Sequence, residues 1–192
     1  MIYKFLQVDN HRLVREQIYN WIIVYSNILA TPAPIFFNDV DVDSFMQHVP
    51  AFAEFAQSKN LKPVAMAVIV VDPARQDFCD LHVDRLEPQI RILWPVRNCQ
   101  GSRTKFYKVE QTSIVHKTLP NGIPYFYIDH TQPWPEVAEF ELTEPLILDT
   151  SVPHRVFPAG NTTEYRLSFT VAFDDDLDIS KSITAWDNVF SS

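Results

Sequence analysis

The chain has 192 residues, of which 46% are hydrophobic, so it can bury one sizeable core and falls within the length range of a single domain. Its formal net charge of -8 argues against a nucleic-acid-binding surface, because such surfaces concentrate basic residues. Two cysteines are too few for a disulfide scaffold, no apolar run approaches the roughly 20 residues of a membrane-spanning helix, and residues 1–4 lack a signal-peptide pattern. We therefore expect a cytoplasmic protein that binds neither nucleic acid nor a membrane.

The N-terminal third of the chain carries the signals of two helices. Apolar residues recur at helical spacing over residues 14–29, and the prolines that follow end this first predicted helix. A second helix is predicted over residues 43–56, where Asp43 and Ser44 can cap its start. Pro50 is expected to split or kink the second helix.

After residue 62 the pattern changes to that of strands. Short runs rich in β-branched residues are separated by turn signals built from proline, asparagine and aspartate, since the chain has only three glycines. The run at residues 63–71 suits a strand covered on both faces, and an earlier run at residues 2–8 suits an edge strand. Further strands are predicted at residues 78–82, 90–96, 104–109, 123–128, 137–142, 146–148, 154–157 and 166–173.

This order of elements predicts a mainly β protein, a sandwich or jelly roll with the N-terminal helices packed on one sheet. The chain shows no interdomain linker, so residues 1–192 are expected to form a single domain. Within it we expect a helical cover at residues 1–60, a β core at residues 61–175 and a C-terminal tail at residues 176–192.

The first chemical signal is a His-x-Asp pair. Side chains alternate faces along a strand, so His82 and Asp84 project the same way and can bind one metal ion. A third ligand is needed, and the best candidate is His154, far downstream on another predicted strand. Two histidines and one carboxylate on one side of a divalent iron leave the opposite coordination positions open for a co-substrate and dioxygen. Because a lone His-x-Asp occurs often by chance, the assignment depends on the whole set.

Arg166 and Ser168 complete that set on the last predicted strand, where they share one face. An arginine flanked by Leu167 and Phe169 on a strand is costly to bury unpaired, so an anion is expected to meet it. A guanidinium offers a bidentate fork that suits a carboxylate, and a serine hydroxyl adds one donor. The alternative is a structural salt bridge between Arg166 and one of the chain's many acids.

On these residues the chain resembles the iron(II)- and 2-oxoglutarate-dependent oxygenases. Their motif is His-x-Asp, a distal His and then an Arg, often as Arg-x-Ser, and the resemblance covers residues 60–175. It implies a double-stranded β-helix, which is a variant of the jelly roll. It also implies that 2-oxoglutarate is decarboxylated to succinate and carbon dioxide while a bound substrate is oxidised, with hydroxylation as the default outcome.

The resemblance also implies a role for each residue of the set. His82, Asp84 and His154 match the iron ligands of that motif, and they are the implied catalytic residues. Arg166 and Ser168 match the pair that holds the far carboxylate of 2-oxoglutarate. Iron(II) and 2-oxoglutarate are therefore the expected cofactor and co-substrate, with ascorbate as a further candidate.

Two other stretches lie near the motif. Residues 101–106 look like the Gly-Gly-x-Thr-x-Phe segment of the prolyl hydroxylase branch, which implies that Thr104 faces the co-substrate; ordinary strand packing is the alternative. Residues 110–136 are rich in proline and aromatic residues, and they are expected to form either a lid or substrate wall or a plain hairpin. His116 and His130 in this insertion are expected to be exposed to solvent.

Two alternative functions stay open. One is a cupin-type metal enzyme that does not use 2-oxoglutarate, although cupins favour a His-x-His pair with a nearby Glu. The other is a non-catalytic jelly-roll binding module, which would be favoured if His154 pointed away from His82 and Asp84. The substrate is expected to be a small molecule or an amino acid or peptide, but fold and motif do not identify it. The oligomeric state is equally open.

Overall fold

The computed structural model describes ten segments of the chain, and the structural statements below concern these segments. They are residues 1–30, 37–73, 80–84, 89–109, 114–118, 122, 124–128, 133–159, 163–174 and 183–190. None of the helices in these segments combines the length and the apolar character that crossing a bilayer requires.

The described elements are mostly strands. The helices are α1 (His11–Val24), α2 (Val42–His48), α3 (Pro50–Ser58) and α4 (Trp186–Phe190), and a 3-10 turn at Ile183–Ala185 precedes α4. The strands are β1 (Tyr3–Phe5), β2 (Phe37–Val40), β3 (Pro63–Val71), β4 (His82–Val83), β5 (Ile90–Arg97), β6 (Arg103–Tyr107), β7 (Ile114–Thr118), β8 (Pro124–Ile128), β9 (Glu136–Glu141), β10 (Leu146–Asp149), β11 (His154–Phe157) and β12 (Arg166–Phe173).

The described strands form two antiparallel sheets of six strands each. The helix-covered sheet has the order β1-β10-β5-β12-β3-β2, and the opposite sheet has the order β7-β8-β4-β11-β6-β9. Successive strands β3, β4, β5 and β6 alternate between the sheets, and so do β9, β10, β11 and β12. This alternation is the winding of a double-stranded β-helix, to which β1 and β2 add edges and the β7–β8 hairpin adds an extension. The predicted mainly β fold is confirmed.

The N-terminal helices pack on one sheet, as predicted, and they do so mainly through aromatic side chains. Phe45 of α2 stacks on Phe169 of β12 with ring centroids 4.5 Å apart, and Phe52 of α3 meets the same ring edge-on at 5.7 Å. Both phenylalanines of the helices are fully buried. Burial of each such side chain contributes about 1.5–3 kcal/mol, so this contact holds the helices against the sheet.

β12 is buried on both faces, and its two faces differ in chemistry. Every residue from Arg166 to Phe173 is buried. Leu167 and Phe169 belong to the core beneath the helices, whereas Arg166 and Ser168 face the space between the two sheets. The period of two in a strand therefore places an apolar face against the helices and a polar face inside the barrel.

The helix boundaries differ from the prediction in two places. α1 ends at Val24 rather than near residue 29, because Ser26 Oγ donates to the Ile22 carbonyl and competes with the next helical turn. α2 is capped by Asp41, whose Oδ1 accepts from the Ser44 N–H at 2.8 Å, and not by Asp43 or Ser44. The predicted break at the proline is confirmed, since α2 ends at His48 and α3 begins at Pro50.

The sequence did not predict β2, β7 or α4. α4 lies in the segment expected to be a tail, yet Trp186 is 1% exposed and its ring meets Phe173 of β12 with centroids 5.6 Å apart. The helix has only five residues, so its own periodicity carries little signal. Its place is determined by the apolar contact with the end of the β core. Residues 176–182 and 191–192 of the expected tail lie outside the described residues.

Candidate metal centre

The strand pairing brings the two histidines of the predicted set together. His82 of β4 and His154 of β11 are direct partners across the two antiparallel strands. Asp84 follows β4, and its backbone N–H donates to Thr150 O at 3.1 Å, which keeps the chain extended beyond the strand. One ligand atom from each of His82, Asp84 and His154 lies within 4.8 Å of the others. The three predicted ligands therefore form one cluster.

Backbone carbonyl groups orient both imidazole rings. His82 Nδ1 lies 2.7 Å from Asp80 O, and His154 Nδ1 lies 2.9 Å from Val152 O. A carbonyl oxygen only accepts, so each Nδ1 carries the proton and donates it, and each Nε2 keeps its lone pair. The Nε2 atom of His82 lies 3.6 Å from Asp84 Oδ1, on the side where the three ligands converge.

The electrostatics of the cluster keep the His154 ring neutral. Burial lowers the pKa of His154 from 6.5 to about 4, and the neighbouring His82 lowers it as well, although Asp84 opposes the shift. Only the neutral form of an imidazole can coordinate a metal ion. At neutral pH the His154 ring is therefore ready to act as a ligand without first losing a proton.

The donor set fits a divalent metal ion. It offers two imidazole nitrogens and one carboxylate oxygen, with no thiolate among the three ligands. A two-histidine, one-carboxylate set that leaves neighbouring positions open is typical of non-haem iron(II) sites, and zinc is bound by similar sets. The side chain of Asp84 is 28% exposed while that of His82 is 7% exposed, so the cluster is more open on the carboxylate side.

The cluster lies in a cavity between the two sheets. The cavity has a volume of about 50 Å³, and it opens to solvent. Both sheets contribute to it through the inward-facing residues of their strands. The described lining residues are Phe37, Ile69, His82, Asp84, Arg91, Leu93, Thr104, Leu148, Thr150, His154, Val156, Arg166, Ser168 and Thr170.

Arg166 lines this cavity as a buried cation. It is 2% exposed, and its Nη1 donates to Ser168 Oγ at 3.2 Å. Within the described part of the chain, Arg166 Nε has no hydrogen-bond partner and no carboxylate forms an ion pair with the guanidinium. A buried donor left unsatisfied costs about 1–3 kcal/mol, and more when it is charged. The arrangement is therefore suited to an anion that enters the cavity, and the salt-bridge alternative has no partner among these residues.

Thr104 lines the cavity, whereas the described residues of the insertion at residues 110–136 do not. Thr104 is 3% exposed and lines the cavity, opposite Val156 of β11. The insertion contributes the β7–β8 hairpin, whose second strand pairs with β4. None of the described cavity-lining residues belongs to residues 110–136, and a lid or wall role for them stays a prediction. His116 is exposed, as expected, and His130 lies outside the described residues.

Arg91, Thr150 and Thr170 also line the cavity, and no motif in the sequence pointed to them. Arg91 is 4% exposed on β5, where seven consecutive residues are buried. A charged residue inside such an apolar run is the one signal that could have drawn attention to it. The two threonines carry no comparable signal in the sequence.

Fold and site together describe a double-stranded β-helix with a His-Asp-His cluster that could hold a metal ion. No protein-family model matches the chain, and no curated protein matches it. Among solved structures, the chain is similar to AviO1 from Streptomyces viridochromogenes Tue57, with 11% identity, a TM-score of 0.47 and coverage of 91% of this chain and 90% of that one.

Two further solved structures have a similar fold. One is the epimerase SnoN in complex with Fe3+, alpha ketoglutarate and nogalamycin RO, with 13% identity, a TM-score of 0.47 and coverage of 94% of this chain and 85% of that one. The other is a Pseudomonas putida prolyl-4-hydroxylase, with 16% identity, a TM-score of 0.43 and coverage of 89% of this chain and 90% of that one. A shared fold does not determine function, which depends on the residues of the site.

Proposed function

We propose that this chain is an iron(II)- and 2-oxoglutarate-dependent oxygenase, most simply a hydroxylase of a small molecule or an amino-acid side chain. One observation carries the proposal. Two buried histidines with a half-buried carboxylate, and a buried arginine that needs an anion, line the same cavity. A metal site alone would suit many enzymes, but the added anion site suits a metal-chelating co-substrate with a second carboxylate.

Each residue of the set has a role in this proposal. His82, Asp84 and His154, which lie on neighbouring strand segments, would hold the iron. Arg166 would bind the far carboxylate of 2-oxoglutarate through its guanidinium, while Ser168 positions that guanidinium through the Nη1 hydrogen bond. Bound iron(II) would supply the dioxygen chemistry that couples 2-oxoglutarate decarboxylation to substrate oxidation.

The spacing of residues along the strands of the barrel supports these roles of the histidines and Arg166. Ser168 is the direct partner of Ile69 on β3, and Val156 of β11 packs on Ile69 from the opposite sheet. His154 lies two residues from Val156, which is about 6.6 Å along a strand. A separation of this order would suit a five-carbon dicarboxylate that binds the metal at one end and Arg166 at the other.

The protein would otherwise act by excluding water and holding its ligands still. His82 and His154 are each 6% exposed, and the walls between the metal cluster and Arg166 include Ile69 and Val156. Thr104 lies at the level of Val156 and offers one hydroxyl group to the same ligand. Such a dry, preorganised site strengthens each polar contact with the co-substrate.

The two alternative functions account for fewer features of the cavity. A binding module with an incomplete triad needs His154 to point away from His82 and Asp84, whereas their ligand atoms lie within 4.8 Å. A cupin-type enzyme that does not use 2-oxoglutarate leaves the buried Arg166 without an anion. The oxygenase accounts for both features with one co-substrate.

The test is a pair of measurements on purified protein. Anaerobic titration of the iron(II) protein with 2-oxoglutarate should produce a weak visible charge-transfer band, and with oxygen and ascorbate the protein should slowly form succinate without a substrate. His82→Ala should abolish both signals, and His116→Ala, which changes an exposed histidine, should retain them. Succinate formation at a normal rate in His82→Ala would refute the metal assignment, and absence of both signals in the unaltered protein would refute the proposed function.

A further inference from the structure

Thr150 lies in the turn between β10 and β11, and it is hydrogen-bonded to both sheets. Its N–H and its Oγ1 both donate to Gln89 O, at 3.0 and 2.8 Å, next to the start of β5. Its carbonyl accepts from the Asp84 N–H at 3.1 Å, next to the end of β4. The residue is 4% exposed and lines the same cavity as the His-Asp-His cluster. Thr150 therefore connects the carboxylate of the cluster to the helix-covered sheet.

The hydrogen bond between Asp84 and Thr150 departs from the register of β4 and β11. His82 is paired with His154, so an uninterrupted antiparallel ladder would bring Val152 opposite Asp84. The Asp84 N–H donates to Thr150 O instead, and Val152 O accepts from the His154 ring at 2.9 Å. One carbonyl of the turn thus fixes the backbone of the aspartate, while another orients a histidine of the same cluster.

The side chain of Asp149 holds this turn in shape. Its Oδ1 accepts from the N–H and from the Oγ of Ser151, at 2.9 and 2.5 Å. Asp149 is also the last residue of β10, where it is paired with Ile90 of β5. Thr150 lies between this paired strand residue and the hydrogen-bonded Ser151, so its carbonyl has little freedom to move.

We propose that Thr150 is a positioning residue of the metal centre, which acts on the metal through Asp84 without touching it. Its carbonyl fixes the backbone from which the Asp84 carboxylate projects. Its hydroxyl holds that carbonyl in place, because it adds a second hydrogen bond to Gln89. Groups that orient a metal ligand typically contribute about 10- to 100-fold to metal affinity. The inference rests on the proposed function, since it takes the cluster as a metal site.

The experiment measures Co(II) binding, because Co(II) binds such ligands more tightly than iron(II) does and weakened variants can still be titrated. Thr150→Val keeps the shape of the side chain and removes its hydroxyl. Calorimetry should show an affinity about 10-fold lower than in the unaltered protein, and the visible spectrum of bound Co(II), which reports coordination geometry, should change. Thr150→Ser keeps the hydroxyl and should restore both. Thr170→Val is the matched control, since Thr170 is 3% exposed and lines the same cavity from β12.

A double-mutant cycle separates positioning of the ligand from a general loosening of the fold. In an Asp84→Ala background there is no carboxylate to position, so adding Thr150→Val should change Co(II) affinity by less than about 2-fold. A loosened fold would instead weaken the remaining binding by His82 and His154 as much as it weakens binding by the complete cluster.

Four results would overturn the proposal: no change in Thr150→Val, no rescue by Thr150→Ser, an equal loss in Thr170→Val, or an undiminished effect in the Asp84→Ala background. If Thr150→Val does not fold, Thr150→Ala, which is smaller and also lacks the hydroxyl, takes its place in each comparison. Lack of Co(II) binding by the unaltered protein would overturn this inference together with the proposed function. Lack of 2-oxoglutarate binding to the Co(II) protein would refute the proposed function alone.

Discussion

His82 and His154 face each other across the β4–β11 pair, with ring centroids 4.4 Å apart. The His-Asp-His cluster is therefore a property of strand register as much as of residue type. A slip of β11 by one residue would turn His154 to the outer face and remove a ligand. The carbonyl contacts of Asp80 and Val152 then hold each ring in the orientation that the register allows.

The carboxylate of the cluster should dominate metal affinity. Asp84→Asn keeps the shape of the side chain and removes its charge, so we expect Mn(II) or iron(II) affinity to fall at least about 100-fold, measured by anaerobic calorimetry. Asp39→Asn changes an exposed aspartate on β2 and should leave affinity unaltered. Equal affinities of the two variants would show that the cluster does not hold the metal.

Arg166 should determine co-substrate affinity without affecting the metal. Arg166→Lys keeps the charge and loses the bidentate fork, so the dissociation constant of 2-oxoglutarate should rise about 10- to 100-fold, while Ser168→Ala should raise it only about 2- to 10-fold. The anaerobic titration measures both. Arg103→Lys, an exposed residue that pairs with Glu139 at 2.7 Å, is the matched control. An unchanged constant in Arg166→Lys would place the co-substrate elsewhere.

The metal-free protein should lose stability in mild acid through His154. Its pKa is about 4 in the folded chain against 6.5 for the unfolded reference, so below pH 6.5 the unfolded chain binds a proton that the folded chain does not. The free energy of unfolding should fall by up to about 3 kcal/mol between pH 6.5 and 4 from this group, and no further below that. Urea unfolding of the protein and of His154→Gln isolates the effect as a difference. Parallel pH profiles would contradict it.

α4 should contribute to stability despite its length. Trp186 is 1% exposed, and Trp186→Ala would leave a cavity beside Phe173, so we expect a loss of about 3–5 kcal/mol in the free energy of unfolding. Val24→Ala removes an apolar side chain that is 66% exposed and should change stability by less than about 0.5 kcal/mol. A loss below about 1 kcal/mol for Trp186→Ala would mean that α4 is not packed as described.

The residue that caps α2 is Asp41 in the structure, whereas the sequence predicted a cap by Asp43 and Ser44. Asp41→Ala removes the acceptor of the Ser44 N–H and should cost about 1 kcal/mol. Asp43→Ala, in the first turn, should cost less, because it loses only a favourable charge near the helix start. Chemical denaturation of both variants measures the order. A larger effect at Asp43 would support the cap expected from sequence.

Local sequence patterns predicted the elements in which apolar residues recur at strand or helix spacing over several residues. The alternation in β12 and the turn signals around it were enough to predict that strand and the shared face of Arg166 and Ser168. The helical spacing predicted α1 in the same way, although not its end, and the missing N–H of proline predicted the break at Pro50. α4 has five residues, fewer than two helical turns, so no helical period could show in its sequence.

The sequence by itself determined the alternation that puts His82 and Asp84 on one side, because a strand's period of two needs no knowledge of its neighbours. Tertiary structure alone decided that His154 is the partner of His82, since pairing between distant strands depends on the packing of both sheets. It also decided that Arg91 faces the cavity: in a strand buried on both faces, only the position of the opposite sheet tells the inner face from the outer.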